Sequence, residues 1–220
     1  MLLGHFVYFC VPMSQKPYIV GISGGSASGK TSFLIHLRAA LPPGKLCIVS
    51  QDNYYRPKDH QLRDENGQIN FDLPTSIDRE AFHADMQRLV RGESIRIKEY
   101  TFNNASREAQ EIEMHPAPVL IMEGLFIFHY TEIREALDLK VYIDARDEVK
   151  LERRLKRDRD ERGYEHDVVL YQWNNHVMPS YMQYLRPYRD EADVIVTNNQ
   201  SYDLGLEVLK NHLAQILSAK

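Results

Sequence analysis

Gly24-Gly25-Ser26-Ala27-Ser28-Gly29-Lys30-Thr31 constrains this chain more than any other stretch, because it fits G-x-x-x-x-G-K-[ST] and stands between two differently patterned segments. Upstream, Tyr18 to Ser23 (YIVGIS) is a β-branched apolar run that reads as a buried strand. Downstream, Phe33, Leu34, Leu37 and Leu41 recur at helical spacing across Ser32 to Leu41. A strand that enters a glycine-rich turn and leaves as a helix aims backbone N–H groups and a helix N-terminus at one point, which suits phosphate. Residues Gly24 to Ser32 are therefore the expected cradle for a nucleoside triphosphate, ATP or GTP. In it Lys30 reaches the β- and γ-phosphates, and the Thr31 hydroxyl ligates Mg²⁺.

The rest of the chain supplies a sheet for that loop. Leu46 to Ser50 (LCIVS), Val119 to Glu123 (VLIME) and Leu139 to Ile143 (LKVYI) are continuous apolar runs, as expected of parallel strands covered on both faces. Val194 to Thr197 reads as a last short strand, and Ile77 to Arg91 and Leu204 to Leu217 read as amphipathic helices. This alternation predicts an α/β fold, a doubly wound parallel sheet of the P-loop NTPase type with ligands beyond the strand C-termini. Ser94 to Tyr100 and Gln110 to Met114 alternate polar and apolar residues and predict a β-hairpin arm over about 94–114. Arg56 to Pro74 is charged and turn-rich.

With 220 residues and 43% hydrophobic content, one core is expected, over residues 17–220, preceded by an apolar extension over 1–16. Met1 to Val11 lacks a basic leader and is too short to span a bilayer, so it is read as lying outside the core. A formal net charge of −4 offers no global attraction to nucleic acid or to an anionic membrane, so neither is an expected partner. Cys10 and Cys47 have neither CxxC spacing nor a histidine cluster, which argues against a disulfide framework or a zinc site and for a reducing cytoplasm.

Two carboxylates fall where chemistry is expected. Asp52 follows the second strand and Glu123 ends the third, so both project toward the crevice above the loop. One can take or align an acceptor hydroxyl's proton while the other holds Mg²⁺, directly or through water; otherwise Asp52 is a turn former and Glu123 a helix-cap partner. Arg153, Arg154, Arg157, Arg159 and Arg162 lie with acids in a helical-looking segment, either a solvated face of ion pairs or, over about 153–166, a lid over the triphosphate. Gly163 then serves as hinge or helix stop.

Taken in order, GGSASGKTS, SQDNYY, NFDLP, EYTF…SR, IMEG and RRLKRDRDERG resemble the uridine kinase (uridine-cytidine kinase) family from about Tyr18 to Val196, with phosphoribulokinase and pantothenate kinase as similar relatives. The resemblance implies that Asp52 acts as base toward a ribose 5′-hydroxyl, that Asp72 and Arg154 hold the 2′- and 3′-hydroxyls, and that Tyr55, Phe71, Tyr100, Phe102 and Gln172 surround the base. It makes Arg157 and Arg162 the lid arginines, and implies a small-molecule nucleoside acceptor and a homo-oligomer, tetramer or dimer. Two positions depart from the pattern: Ala105 stands where the family has a base-binding histidine, and Tyr164 where it has arginine after E-R-G. A methyl group makes no hydrogen bond, so the expectation is a retained ribose requirement with weak discrimination among bases. Another small alcohol as acceptor, or a nucleotide-dependent switch, are the alternatives; Asp52, Asp72 and Tyr100 favour a kinase, since a switch has no use for an acceptor pocket.

Overall fold

The structure, a computed structural model, describes residues 16–102 and 108–219. Residues 103–107, with Asn103, Asn104 and Ala105, nearly all of the N-terminal extension and Cys10 lie outside the described residues, while Cys47 is a buried free thiol.

Strand β1 (Tyr18–Ser23) runs into the phosphate loop and helix α1 (Lys30–Ala39), and β2 (Leu46–Ser50) follows. Helix α2 (Arg79–Val90) begins where the Asp78 carboxylate accepts the Ala81 N–H. Then come the short strands β3 (Ile95–Lys98) and β4 (Glu111–Met114), strand β5 (Val119–Glu123), the single turn α3 (Thr131–Arg134), β6 (Leu139–Asp144) and α4 (Asp147–Arg162). A helical stretch made of α5 (His166–Gln172), α6 (Met178–Ser180) and α7 (Arg186–Arg189) precedes β7 (Val194–Thr197) and α8 (Asp203–Ser218).

The main sheet has the order β2-β5-β1-β6-β7 with every pairing parallel. Burial explains the continuous apolar runs. Along β5, Leu120 and Met122 enter one core with Phe82, Met86 and Phe126, while Val119 and Ile121 enter another with Phe33, Leu37 and Leu213. Side chains alternate across a strand, so a strand with helices on both faces must be apolar at every position. The predicted hairpin is present as the antiparallel pair β3-β4, outside the main sheet. Ile95 and Ile97 face the first core while Arg96 and Lys98 are exposed, the period-two pattern of a ribbon covered on one face.

No element is predicted over 166–189, yet this stretch is helical throughout. Its buried apolar residues are Val169, Trp173, Val177, Tyr181 and Leu185, one every four positions. A 3.6-residue helix over-rotates by roughly 40° at each four-residue step, so the stripe would wind off the core within a few turns. Two wide π turns, Trp173–Val177 and Tyr181–Leu185, absorb the excess. In the first, the Met178 N–H donates five residues back to the Trp173 carbonyl. Among the described residues no helix is long and apolar enough to cross a membrane.

Candidate active site

The phosphate loop takes its shape from close backbone packing. Gly24 has φ 153°, and a Cβ there would collide with the Ile143 carbonyl of β6. Gly29 has φ 101°, and a Cβ there would collide with the Asn198 amide. Among the described non-glycine residues only Ala27, with φ 60°, is left-handed, a conformation that costs free energy and recurs in anion-binding loops. Asn198, just past β7, donates its side-chain amide to the Ser28 carbonyl at 2.8 Å and its backbone N–H to the Asp144 carbonyl at 2.6 Å, tying the loop to the far side of the sheet. The Lys30 ammonium lies over the loop, donating to the Gly24 and Gly25 carbonyls at 2.9 and 3.2 Å. Burial pulls its pKa down, while Glu123 and then Asp52 pull it up. Ser26, Ala27, Gly29, Lys30, Thr31 and Ser32 line a cavity of about 370 Å³.

Asp52 and Glu123 line the same cavity, as their places after β2 and at the end of β5 require. Asp52 also belongs to the 3₁₀ turn Gln51–Tyr54, where its N–H meets the Ser50 hydroxyl at 3.4 Å. That hydroxyl donates to Glu123 Oε2 at 2.8 Å. Burial raises the pKa of Asp52 against the pull of Lys30, Arg162 and Arg157. Burial, then the charge of Asp52, pushes Glu123 up to about 7. Two carboxylates that resist ionising together, with the Thr31 hydroxyl on the same cavity wall, are a donor set suited to a divalent cation. Among the described residues no group of three or more His, Cys, Asp or Glu is placed to hold a metal ion.

The raised carboxyl has a measurable consequence. Glu123 binds a proton in the folded protein up to about pH 7, but in the unfolded chain only to its ordinary 4.5. Stability therefore falls as pH rises through that window, and the loss is complete above it. Glu123→Gln removes this penalty, so without nucleotide and metal it should be more stable than wild type by roughly 3 kcal/mol at pH 8 and equal to it near pH 4. Thermal denaturation at the two pH values checks this.

Opposite the loop the cavity is walled by aromatic residues. Tyr55, at the exit of β2, packs on Phe71, Tyr100 and Phe102 with ring centroids 6.0, 5.1 and 5.7 Å away. These four rings, Tyr164 and Gln172 all line the cavity. The Tyr100 N–H donates to the Asn53 side chain at 3.1 Å, which joins the hairpin to the β2 exit. Phe71 and Phe102 are cavity residues here. The Arg162 guanidinium lies 4.3 Å from the Phe102 ring centroid, a cation–π contact across the cavity mouth.

Helix α4 organises its arginines around one carboxylate that sequence reasoning missed. Asp158 is fully buried and meets Arg157 at 2.8 Å, Arg154 at 3.2 Å and Arg162 at 3.2 Å. The i, i+4 spacing in RRLKRDRDER was the available signal, masked by the density of charge around it. Arg154 is the hub of the group. It donates to Ser26 Oγ at 2.9 Å and to Gln172 Oε1 at 3.3 Å, and stands 3.9 Å from Asp72. Arg159 is exposed and pairs only with Asp160 at 2.8 Å, so the solvated reading holds for that residue. Gly163 is a helix stop, with φ 68° at the left-handed C-cap and the following N–H returning to the Asp158 carbonyl. Asp158→Asn leaves three guanidinium groups without their shared anion, so it should cost about 3–5 kcal/mol of stability. Urea unfolding of the variant gives that number directly.

A second, open cavity adjoins the first at Gly29, Ser32 and Arg153 and continues along Asn198, Gln200, Ser201, Tyr202 and Asp203. None of these residues past β7 was singled out from sequence, since short polar residues between a strand and a helix read as a plain loop.

The sequence profile of the Phosphoribulokinase / Uridine kinase family matches residues 19–204. A uridine kinase of Brevibacillus brevis is 33% identical over 205 residues, covering 93% of this chain and 96% of that protein. A uridine kinase of Lactobacillus helveticus is also 33% identical, over 93% of this chain and 97% of its own length. The solved structure of phosphoribulokinase from Rhodobacter spheroides superposes with a TM-score of 0.61 at 18% identity, covering 83% of this chain and 70% of that one, a likeness of fold. With the profile matched over residues 19–204 and relatives 33% identical over nearly their whole length, the chain belongs to the Phosphoribulokinase / Uridine kinase family.

Proposed function

We propose that this chain is an ATP-dependent nucleoside kinase that moves the γ-phosphoryl group to the 5′-hydroxyl of a ribonucleoside, uridine or cytidine. The observation that carries this reading is Asp72 and Arg154, 3.9 Å apart on the wall of a cavity that joins the phosphate loop to four aromatic rings. A carboxylate beside a guanidinium suits a vicinal diol, which needs an acceptor and a donor together, and the rings suit a planar heterocycle. The names of the relatives agree with it. The second cavity, reached past Gly29, takes the base of the donor nucleotide.

In this reading Asp52 accepts the proton of the 5′-hydroxyl as its oxygen bonds to the γ-phosphorus, and the bond to the β–γ bridging oxygen breaks to release ADP. Lys30, Arg157 and Arg162 stabilise charge on the equatorial oxygens, and the end of α4 serves as the lid. Thr31 and Glu123 would hold Mg²⁺, directly or through water, and the ion would supply charge neutralisation to the triphosphate. The test is acceptor-dependent ADP release across uridine, cytidine, 2′-deoxyuridine, phosphosugars and pantothenate. Uridine and cytidine should drive turnover, with 2′-deoxyuridine at least ~10-fold poorer because a buried carboxylate–guanidinium pair loses a partner. Stimulation by a phosphosugar or pantothenate and by no nucleoside would move the acceptor to another small alcohol.

A further inference from the structure

The hairpin histidine expected of the family is Ala105 in this chain, yet the cavity holds a histidine of its own. His176 lines the acceptor cavity from the first wide turn, four residues after Gln172, and is only 2% exposed. Wide helical turns re-aim side chains and recur at functional sites. Its Nε2 lies 2.7 Å from Asp64 Oδ2, and the same oxygen accepts the Tyr171 hydroxyl at 2.6 Å. Tyr171 in turn accepts from the Asn66 amide at 2.7 Å, while Asp64 Oδ1 accepts the Asn66 and Gln68 N–H groups. The hydrogen bond from Tyr171, followed by those from His176 and the backbone, holds the Asp64 carboxyl down at about 2. An ionised carboxylate only accepts, so Nε2 carries a proton, and a neutral imidazole held in this way has Nδ1 as its lone-pair acceptor.

We propose that His176 is the specificity-determining residue of the acceptor cavity, offering Nδ1 to an N–H donor of the acceptor's heterocycle, with Asp64 and Tyr171 as the groups that fix its tautomer and orientation. This deepens the nucleoside reading and rests on it. The ligand class it names is a ribonucleoside whose base carries an N–H on the edge away from the sugar, such as N3–H of uridine. It also revises the expectation drawn from Ala105: base discrimination is supplied from the α5 side of the cavity. A cavity histidine tied to a carboxylate is otherwise a plain packing element, and the two roles make opposite predictions.

The test compares uridine with 3-methyluridine, which lacks the ring N–H, in the wild type, His176→Gln and His176→Asn. Glutamine reproduces the position of Nε2 and keeps the bond to Asp64; asparagine reproduces Nδ1 and gives that bond up. Wild type should prefer uridine by 10-fold or more in kcat/KM. His176→Gln should keep the wild-type melting temperature and the KM for ATP, yet lose at least 10-fold on uridine and little on 3-methyluridine, bringing the ratio close to one. His176→Asn should be less stable but retain a ratio several-fold above that of the glutamine variant. A purely structural histidine gives the reverse, with glutamine matching wild type in ratio and rate; that result overturns the proposal. An equal loss on both substrates also overturns it. Wild type inactive on every nucleoside overturns the nucleoside reading and this inference with it, whereas an active wild type with an unchanged ratio in His176→Gln overturns this inference alone.

Discussion

Replacing Lys30 with alanine is expected to lower kcat/KM for phosphoryl transfer by at least ~10³-fold while the protein still folds. The ammonium is buried among the Gly24 and Gly25 carbonyls and near Glu123 and Asp52. In a crevice largely closed to water, one positive charge aimed at the γ-phosphoryl is worth several kcal/mol at the transition state. Its loss should not unfold the chain, because Lys30 contributes nothing to either hydrophobic core. Steady-state kinetics with a circular dichroism spectrum of the variant check both halves. Turnover within tenfold of wild type would remove the phosphate loop from the mechanism.

The second large effect is expected at Asp52. Asp52→Asn keeps the shape and removes the charge, so it should lower kcat by about 10²–10⁴-fold and leave the KM for ATP within a few-fold. Such a split marks an interaction made chiefly in the transition state. The raised pKa of Asp52 is consistent with a base poised to take a proton rather than one locked in an ion pair. Matching losses in ATP affinity and turnover would make Asp52 a metal or structural residue. Because Asp52 and Glu123 influence each other's ionisation, Asp52→Asn should also bring the Glu123 carboxyl below about 7. NMR titration of Glu123 in the variant reads that shift.

Much of this was legible from residues alone because it depended on local pattern. The phosphate loop needs a strand before it, a helix after it and glycines where backbone must approach backbone; Gly24 against the β6 carbonyl and Gly29 against Asn198 show those demands met in space. Parallel strands covered on both faces advertise themselves as continuous apolar runs, and β1, β2, β5 and β6 lie within a residue of where such runs predict them. Asp52 and Glu123 followed from the rule that ligands gather beyond strand C-termini.

What stayed hidden depended on partners distant in sequence. Asp158 reads as one acid among many in a charged helix, and becomes the shared anion of three arginines only once α4 is packed and the carboxylate loses its water. His176 reads as a polar residue in an unassigned stretch; its role depends on Asp64, 112 positions earlier, and on a wide turn in a stretch whose apolar period of four is longer than that of a helix or a strand. The amino-acid sequence by itself determined the sheet, the loop and the kind of chemistry, because apolar periodicity and glycine conformation act over a few residues. The tertiary structure alone decided which charges are buried together and which ring nitrogen of His176 is held by Asp64, because desolvation and hydrogen-bond partners belong to a residue's surroundings in space.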